Sequence, residues 1–352
     1  MDICERERMN NRRKLVVALG LAPLAAPLRL FAQQSGKTCR IAFLALLACS
    51  AFVVPPASAQ RPYTDLPIVR EGKTIHLTPN VYVIPDENRR GVPNVGIVVG
   101  SRATLVIDPG MGLKSGQAVL HEVAKVSKGN EIYIATTHLH PEHTTGELAF
   151  PATAKIVRSV VQQKDVEENG MKWVNEFSGR SPELADILKE AREKGWRAPT
   201  ETFEREKTLD LGGVRVRLMQ LGPGHTPGDT AIFVEGDAVL FSGDLAMKQV
   251  FPMYNSPQSS TDAWIAAVNA MEALRPTHVV GSHYGMGGAS MISAYRDYFT
   301  SLRARVAEMK AQGKSADETA KTLHAEFHAK YPDWDQAVRV EQNAKATYAQ
   351  LP

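Results

Sequence analysis

Three of the ten histidines of this 352-residue chain, His138, His140 and His143, fall within six residues of one another, with Glu142 between the last two. Imidazole and carboxylate groups are ligands that a divalent metal such as zinc accepts. Alternate residues of an extended segment share a side, so His138 and His140 can point the same way. Pro141 then turns the chain, and Glu142 and His143 can point elsewhere. Two pairs of ligands aimed in two directions favour two adjacent metal ions over one.

Further residues of ligand type lie downstream, each after a short apolar run. They are His225 in G-P-G-H-T-P-G-D, Asp244 in V-L-F-S-G-D-L and His283 in H-V-V-G-S-H-Y-G. Short apolar runs bounded by glycine are typical of buried strands, so each residue is predicted to lie at the end of a strand. Asp108 ends the run T-L-V-I-D-P-G upstream of the histidines in the same way.

These motifs, in this order, resemble those of the metallo-β-lactamase-fold hydrolase superfamily, and the resemblance spans about residues 75–283. It implies an α/β fold, an αββα sandwich of two similar halves with metals at their shared edge. It also implies the ligand sets: one zinc held by His138, His140 and His225, a second held by Glu142, His143 and His283, and Asp244 bridging the two. The chain departs from the family at Glu142, where the family usually has aspartate.

The resemblance implies catalysis by two Zn²⁺ ions. A water molecule shared by two such cations loses a proton near neutral pH and becomes a nucleophile for a carbonyl, sulfonyl or phosphoryl centre. Asp244 and Glu142 are the predicted catalytic residues, and Glu142 can orient the water and carry its proton to the leaving group. Asp108, Thr226 and Asp229 are predicted to fix the tautomers of the ligand imidazoles, although turn chemistry explains the two aspartates equally well.

The residue at the bridging position narrows the class of reaction. Metallo-β-lactamases generally have cysteine or serine there, whereas Asp244 resembles the aspartate of glyoxalase II, lactonases and related hydrolases. The H-P-x-H-x-x-G context also resembles periplasmic zinc hydrolases associated with quinoprotein and sulfur-oxidation systems. We therefore predict hydrolysis of a small ester, thioester or lactone, with a β-lactamase or a non-catalytic metal-binding protein as alternatives. A di-iron redox protein of this fold is a further alternative, although such proteins carry a carboxylate where this chain has His140.

The first 59 residues differ in composition from the rest of the chain. They hold eight Lys/Arg and three Asp/Glu, whereas the whole chain has a formal net charge of +3. The chain from Gln60 onward therefore has 33 basic and 35 acidic residues, a net charge of about −2. This balance gives no electrostatic case for a nucleic-acid partner. All three cysteines, Cys4, Cys39 and Cys49, lie in the same leading segment, which leaves no thiolate ligand for the metal centre.

The leading segment is typical of an export signal. The pair Arg12-Arg13 precedes an apolar run as in a twin-arginine signal, and a second apolar run at 41–54 leads to an A-S-A cleavage motif ending at Ala59. That run is short for a membrane span. We expect residues 1–59 to be cleaved, in preference to lipidation of Cys49, which would give a periplasmic or secreted protein without a stable membrane anchor.

The rest of the chain divides into a metallo-β-lactamase-fold domain at 60–288 and a helical extension at 289–352. In the domain, β-rich runs and hairpins lead twice into a helix and a further strand, so the plan repeats. The extension is predicted to pack on the domain or to form a homodimer face. His324 and His328 are four residues apart on one of its helices, but no carboxylate partner is in register, so a metal site is disfavoured there.

A helical insertion at 160–199 interrupts the ligand motifs. It carries Trp173, Phe177 and Trp196, which either roof the cleft or pack only into a small core of the insertion. The polar loop at 86–93 is expected to be flexible and, by the resemblance, to flap over the metals.

A proline-bearing loop at 247–260 follows Asp244 directly. Because ligand pockets are lined by apolar and aromatic side chains, this loop is expected to line the substrate groove. Phe251 and Tyr254 from the loop, together with Tyr284 beside His283, are the predicted substrate contacts.

Overall fold

Thirteen strands in two mixed sheets organise the part of the chain that the computed structural model describes, which is residues 65–127, 129 and 131–352. The predicted export segment therefore lies outside the described residues. The first sheet contains, in spatial order, β1 (Ile75–Thr78), β2 (Val81–Ile84), β3 (Val95–Val99), β4 (Ala103–Ile107), β5 (Glu131–Ala135), β6 (Lys155–Ser159) and β7 (Glu201–Phe203).

The second sheet is built mainly from the later half of the domain. In spatial order it contains β13 (Met286–Gly287), β12 (His278–Gly281), β11 (Val239–Gly243), β10 (Thr230–Val234), β9 (Arg215–Gln220) and β8 (Glu206–Asp210). The chain runs antiparallel from β8 to β11, and β12 then lies parallel to β11.

Helices cover the sheets and fill the insertion. They are α1 (Gly112–Val126), α2 (Pro141–Thr144), α3 (Val160–Asp165), α4 (Met171–Ser178), α5 (Pro182–Ile187), α6 (Lys189–Lys194), α7 (Thr261–Ala273), α8 (Ser290–Ala311), α9 (Ala316–Lys330) and α10 (Arg339–Gln350). A 3-10 turn, Thr145–Ala149, follows α2, and a π-helical turn, Val166–Gly170, joins α3 to α4. Within the described residues, no helix combines the length and the apolar composition that crossing a membrane requires.

The two halves repeat one plan, as the sequence predicts. In the first half, antiparallel β3 and β4 are followed by α1 and by β5, which lies parallel to β4. In the second half, antiparallel β10 and β11 are followed by α7 and by β12, which lies parallel to β11. A parallel connection needs a crossover, and in each half a helix supplies it.

Apolar side chains form successive layers that define an αββα sandwich. One layer joins the facing sides of the two sheets, a second joins the first sheet to α1, and a third joins the second sheet to α7–α10. The strands at the centre are buried along their whole length, which explains why β4, β10 and β11 are mainly apolar. The predicted fold class is thus confirmed.

The C-terminal helices pack on the second sheet and on α7 through one shared apolar cluster. Ser315 and Glu318 form a capping box at the start of α9. The last helix begins only at Arg339, and Asp335 lies before it. Asp335 instead exchanges backbone hydrogen bonds with the loop after β11, because its N–H donates to Gln249 O and its carbonyl accepts from Phe251 N.

Candidate metal centre

The strand ends bring the ligand-type residues to one edge of the sandwich. Asp108 follows β4 and His138 lies just beyond β5, while Asp244 follows β11 and His283 lies just beyond β12. The parallel strands β4 and β5 end side by side, since the backbone register pairs Ile107 with Ala135. The parallel strands β11 and β12 also end together, at the pair Gly243 and Gly281. Parallel strands end at the same edge of a sheet, so residues far apart in sequence meet there.

All seven predicted metal ligands lie in three overlapping groups, each with ligand atoms within 4.8 Å of one another. Five of the seven are buried, and Asp244 and His283 are partly exposed. Because the groups share members, the seven side chains form one continuous cluster. The groups are His138, His140 and His225; His138, His143 and Asp244; and Glu142, His143 and His283.

Ring nitrogens of three histidines face one another. His140 Nδ1 lies 2.9 Å from His138 Nε2 and 3.4 Å from His225 Nε2. Burial, together with the neighbouring imidazoles, lowers the pKa of both His138 and His140 well below the usual value, so these two rings are neutral at pH 7. Facing lone pairs at this separation need a shared proton or a cation, and a bound metal ion satisfies all three nitrogens together.

The other ligand atoms also fit a cation. Glu142 Oε2, His143 Nε2 and Asp244 Oδ1 are buried and have no hydrogen-bond partner within the described residues. Buried polar atoms in proteins almost always have a hydrogen-bond or metal partner. Several unpartnered atoms in one cluster therefore indicate that a shared partner binds there. A set of imidazole nitrogens and carboxylate oxygens suits a divalent metal of borderline softness.

Hydrogen bonds behind the cluster orient three of the rings. His143 Nδ1 lies 3.0 Å from Asp108 Oδ2, His225 Nδ1 lies 2.7 Å from a backbone carbonyl oxygen, that of Met253, and His283 Nδ1 lies 2.8 Å from that of Val92. An acceptor at Nδ1 keeps the proton there, which leaves Nε2 with its lone pair directed at the cluster.

Asp108 connects the two halves of the histidine motif. Its Oδ1 accepts from Thr137 N at 2.7 Å, and its Oδ2 accepts from Thr137 Oγ1 at 2.8 Å. The same hydroxyl lies 3.1 Å from His138 Nδ1, so one carboxylate holds both His138 and His143. Asp108 has φ 55°, in the left-handed region that aspartate tolerates better than most residues.

Charges within the cluster shift two pKa values in opposite directions. Burial would lower the pKa of His143, but the carboxylates of Asp108, Glu142 and Asp244 outweigh it and raise that pKa to about 9. Burial would raise the pKa of Asp244, but the surrounding imidazoles hold it below its usual value. Asp244 is therefore a carboxylate at neutral pH, available to a cation.

Thr226 and Asp229 act differently from the prediction. Asp229 Oδ2 accepts from the backbone N–H groups of Gly224 and His225, at 3.1 Å and 2.7 Å, and Thr226 Oγ1 donates to Asp229 Oδ1. Asp229 therefore shapes the loop that carries His225 and does not contact the imidazole, whose tautomer is fixed by the carbonyl of Met253. Of the three residues, Asp108 hydrogen bonds to a ligand ring directly.

Two predicted substrate contacts are corrected. Phe251 is fully buried with its ring 5.2 Å from that of Trp334, and Tyr254 is 6% exposed with its hydroxyl bonded to Thr261. The loop after β11 passes beneath the C-terminal helices, whose apolar side chains take both rings into the core. Tyr284 is partly exposed beside His283 and remains a predicted contact.

Asn255 is a site residue that sequence reasoning missed. Its backbone N–H donates to His225 O at 3.1 Å, and its side-chain Nδ2 lies 3.3 Å from His225 Nε2. Asn255 is partly exposed, so its amide lies where a substrate can reach it. An asparagine in an irregular loop is ordinary turn chemistry, and nothing in the spacing distinguished it.

The insertion both reaches the site and packs on itself. The Trp173 ring lies 4.4 Å from that of His140, and Trp196 Nε1 donates to Thr144 Oγ1 at 2.9 Å, within the histidine segment. Phe177 is buried in the small apolar cluster of the insertion, against residues of α5 and α6. Trp173 and Trp196 also pack against this cluster, so the insertion has a small core of its own and reaches the histidine segment as well.

The loop at 86–93 is tied down, so the expectation of a flexible flap is wrong. Arg89 Nη1 donates to Ile68 O at 2.7 Å, and its Nε donates to Asp65 at 2.7 Å. Asp86 accepts from the backbone N–H of Tyr284 at 2.8 Å, which joins the loop to the segment carrying His283. The loop supports a ligand and is hydrogen bonded along its length.

Comparisons with known proteins agree with this geometry. A model of the metallo-beta-lactamase superfamily matches residues 88–283. Acyl-coenzyme A thioesterase MBLAC2 of Gallus gallus is 24% identical over 216 residues, covering 56% of this chain and 75% of that protein. The Bos taurus protein of the same name is 25% identical, over 43% of this chain and 57% of its own length. Metallo-beta-lactamase type 2 of Bacteroides fragilis is 27% identical over 105 residues, 29% of this chain and 42% of that enzyme.

Solved structures show the same fold at low identity. The sec-alkylsulfatase Pisa1 from Pseudomonas sp. matches with a TM-score of 0.58 and 16% identity, over 79% of this chain and 50% of that one. A metallo-beta-lactamase family protein from Thermus thermophilus matches with a TM-score of 0.52 and 18% identity, over 78% and 94%. With its strand order, its ligand-type cluster and a family match over more than half of its length, the chain belongs to the metallo-beta-lactamase superfamily of hydrolases.

Proposed function

We propose that this chain is a dinuclear zinc hydrolase that cleaves esters, thioesters or lactones, with thioesters as its main substrates. One observation carries the proposal: seven ligand-type side chains meet at one edge in overlapping groups, and several of their buried atoms have no protein partner within the described residues. The preference for thioesters is supported by Asp244 at the bridging position and by the similarity to proteins named acyl-coenzyme A thioesterase.

The ligands divide into two sets. His138, His140 and His225 would hold one ion, and Glu142, His143 and His283 the other, with the Asp244 carboxylate between the sets. Bound divalent cations lower the pKa of water and polarise a carbonyl group, which is the chemistry that hydrolysis needs. The ligand types suit zinc, and the number and spacing of the groups suit two ions.

Two side chains are placed to act on the substrate. Glu142 is 8% exposed and its carboxylate has two oxygens, so one can bind the ion while the other accepts the proton of the attacking water and passes it to the leaving group. Asn255 Nδ2 can donate to the carbonyl oxygen as negative charge develops there. In the overall reaction a C–O bond forms, the C–S bond breaks, and the thiol leaves with that proton.

A thioester makes a smaller demand on Glu142 than an alkyl ester does. A thiol has a pKa near 8.5, so a thiolate can leave with little help, whereas an alkoxide must be protonated as it leaves. The proposed site therefore suits thioesters even if Glu142 delivers protons slowly. We also propose that the enzyme acts on small molecules in the periplasm or outside the cell, supported by the A-S-A motif ending at Ala59.

A screen on purified protein starting at Gln60 tests the proposal. Zinc is measured by elemental analysis, and thioester, lactone, aryl ester and cephalosporin probes are compared before and after chelation. We expect about two zinc ions per chain and chelator-sensitive thioester hydrolysis. Turnover confined to the cephalosporin would favour the β-lactamase alternative, which the similarity to the Bacteroides fragilis enzyme motivates. Bound zinc without hydrolysis of any probe would favour a metal-binding role.

A further inference from the structure

The inserted helix α4 presents an aromatic ring to a metal ligand. The rings of Trp173 and His140 lie 4.4 Å apart and nearly perpendicular, at 68°. His140 Nε2 points away from the cluster, is buried and has no hydrogen-bond partner within the described residues, unlike the outer nitrogens of His143, His225 and His283. Trp173 is partly exposed, so one part of the indole packs on the ligand and another part remains open.

A guanidinium group lies one step further along the same side of the insertion. The Phe177 ring lies 6.4 Å from both the His140 ring and the Trp173 ring. The guanidinium carbon of Arg180 lies 3.8 Å from the centre of the Phe177 ring, a close cation–π contact. The rings of His140, Trp173 and Phe177 thus form a triangle, and the Arg180 guanidinium packs on the Phe177 ring of that triangle.

The guanidinium is held in place without being neutralised by a buried partner. Arg180 Nη2 donates to Glu176 at 2.8 Å, but that carboxylate is 48% exposed. Ion pairs at exposed positions contribute little stability, so a substrate anion can displace Glu176. The Arg180 side chain is 22% exposed, and stacking on Phe177 fixes its orientation before a ligand binds. A pre-oriented guanidinium is suited to a carboxylate or a phosphate.

We propose that Trp173 and Arg180 form a subsite for an anionic thioester. The indole contacts the apolar part of the substrate next to the scissile bond, and the guanidinium binds a carboxylate or phosphate carried on the acyl chain or on the thiol. This inference rests on the proposed hydrolase function and specifies, in addition, that the substrate is negatively charged.

The test compares thioesters of similar size that carry different charges. With the acyl group fixed as acetyl, the thiol is neutral (N-acetylcysteamine), anionic (3-mercaptopropionate) or cationic (thiocholine). With the thiol fixed as N-acetylcysteamine, the acyl group is propionyl or succinyl, which places the anion on the other side of the scissile bond. The series, thiol or acyl, that shows the larger preference for the anionic compound identifies which half of the substrate carries the charge. For the zinc-loaded wild type we expect kcat/KM at least tenfold higher for an anionic thioester than for the cationic one.

Variants at Arg180 separate recognition from folding. Arg180→Gln is expected to raise KM about tenfold for the preferred anionic thioester and less than twofold for the neutral one, with kcat little changed. Arg180→Lys should keep part of the preference for anionic thioesters, because the lysine ammonium keeps the positive charge but lacks the planar, two-pronged guanidinium. Glu176→Gln removes the competing carboxylate and should lower KM for the anion. Arg192→Gln removes an exposed cation from the neighbouring helix α6 and is the matched control, with no expected effect.

Equal losses of activity by Arg180→Gln on neutral and anionic thioesters would overturn the subsite, as would no loss on either. Thermal melting and zinc content of each variant show whether a loss reflects unfolding, and Arg180→Lys then provides the decisive comparison. If the wild type hydrolyses none of the thioesters, the proposed function fails separately. Calorimetric titration of the zinc-loaded protein with succinate still tests the subsite, because Arg180→Gln must weaken that binding or the inference is wrong.

Discussion

Substitution of Asp108 by asparagine isolates the effect of one buried charge on the metal centre. Asparagine has the same shape and tolerates the φ of 55° at this position, so the backbone need not move. The amide keeps one acceptor for Thr137 N but presents N–H donors, or a weaker carbonyl, to His143 Nδ1. Asp108→Asn therefore removes the acceptor that fixes the tautomer of His143.

The pKa of His143 sets the size of the effect. With a pKa of about 9, this imidazole is protonated at pH 7 in the metal-free protein and pairs with Asp108. The difference between 6.5 and about 9 corresponds to about 3 kcal/mol, an upper limit for Asp108 because Glu142 and Asp244 also raise this pKa. The stabilisation is fully present below pH 6.5 and is lost as the pH rises through about 9.

Two measurements test the raised pKa of His143 and the pH dependence that follows from it. Metal-free Asp108→Asn should melt below the wild type by up to about 10 °C at about pH 6.5, and the difference should narrow by about pH 9.5. In zinc-buffered solution the variant should lose affinity for one ion about 10–100-fold, because the proton of His143 can now occupy Nε2. Zinc per chain should then fall from two to one. Asp297→Asn, the same chemical change at an exposed position on α8, is the control.

The reasoning would be refuted by a variant that binds two zinc ions with unchanged affinity and melts like the wild type at the lower pH. A melting difference that grows between the lower and the higher pH would also contradict it, because the sign of the pKa shift would be wrong. Loss of both ions would show that Asp108 acts mainly through Thr137 and His138, since the same carboxylate supports both.

Further predictions concern the bridging carboxylate, the family departure and the export segment. Asp244→Asn should keep the fold but lose most activity and part of the zinc, and unchanged zinc with an unchanged rate would show that Asp244 is not a ligand. Glu142→Asp shortens the reach of the side chain by roughly 1–1.5 Å, far more than the about 0.2 Å that metal–oxygen bonds tolerate. Activity should fall at least tenfold, about 1.4 kcal/mol of barrier, and a faster variant at equal zinc would contradict this. N-terminal sequencing of periplasmic material should begin at Gln60, and a lipid on Cys49 would contradict cleavage after Ala59.

The sequence predicted the sandwich well because its central strands are short, apolar and punctuated by glycine. The apolar runs before Asp108, Asp244 and His283 are the observed strands β4, β11 and β12. The strands β7 and β13 were missed. Glu201–Phe203 and Met286–Gly287 are too short to show alternation, and both lie at sheet edges where pairing with a neighbour decides the conformation.

The sequence by itself determined which residues can bind metal and that most of them follow strands. The H-x-H-x-E-H spacing and the strand-ending Asp244 and His283 required no long-range information, because each signal is local. The prediction that His225 also ends a strand is wrong, because it lies in the loop between β9 and β10. Only the tertiary structure decided which aromatic residues face the site. Phe251 and Tyr254 are taken into the core by helices that lie far along the chain, whereas Trp173 is carried to His140 by the insertion. Local patterns record whether a side chain is apolar, but the partner that buries it is set by how distant segments pack.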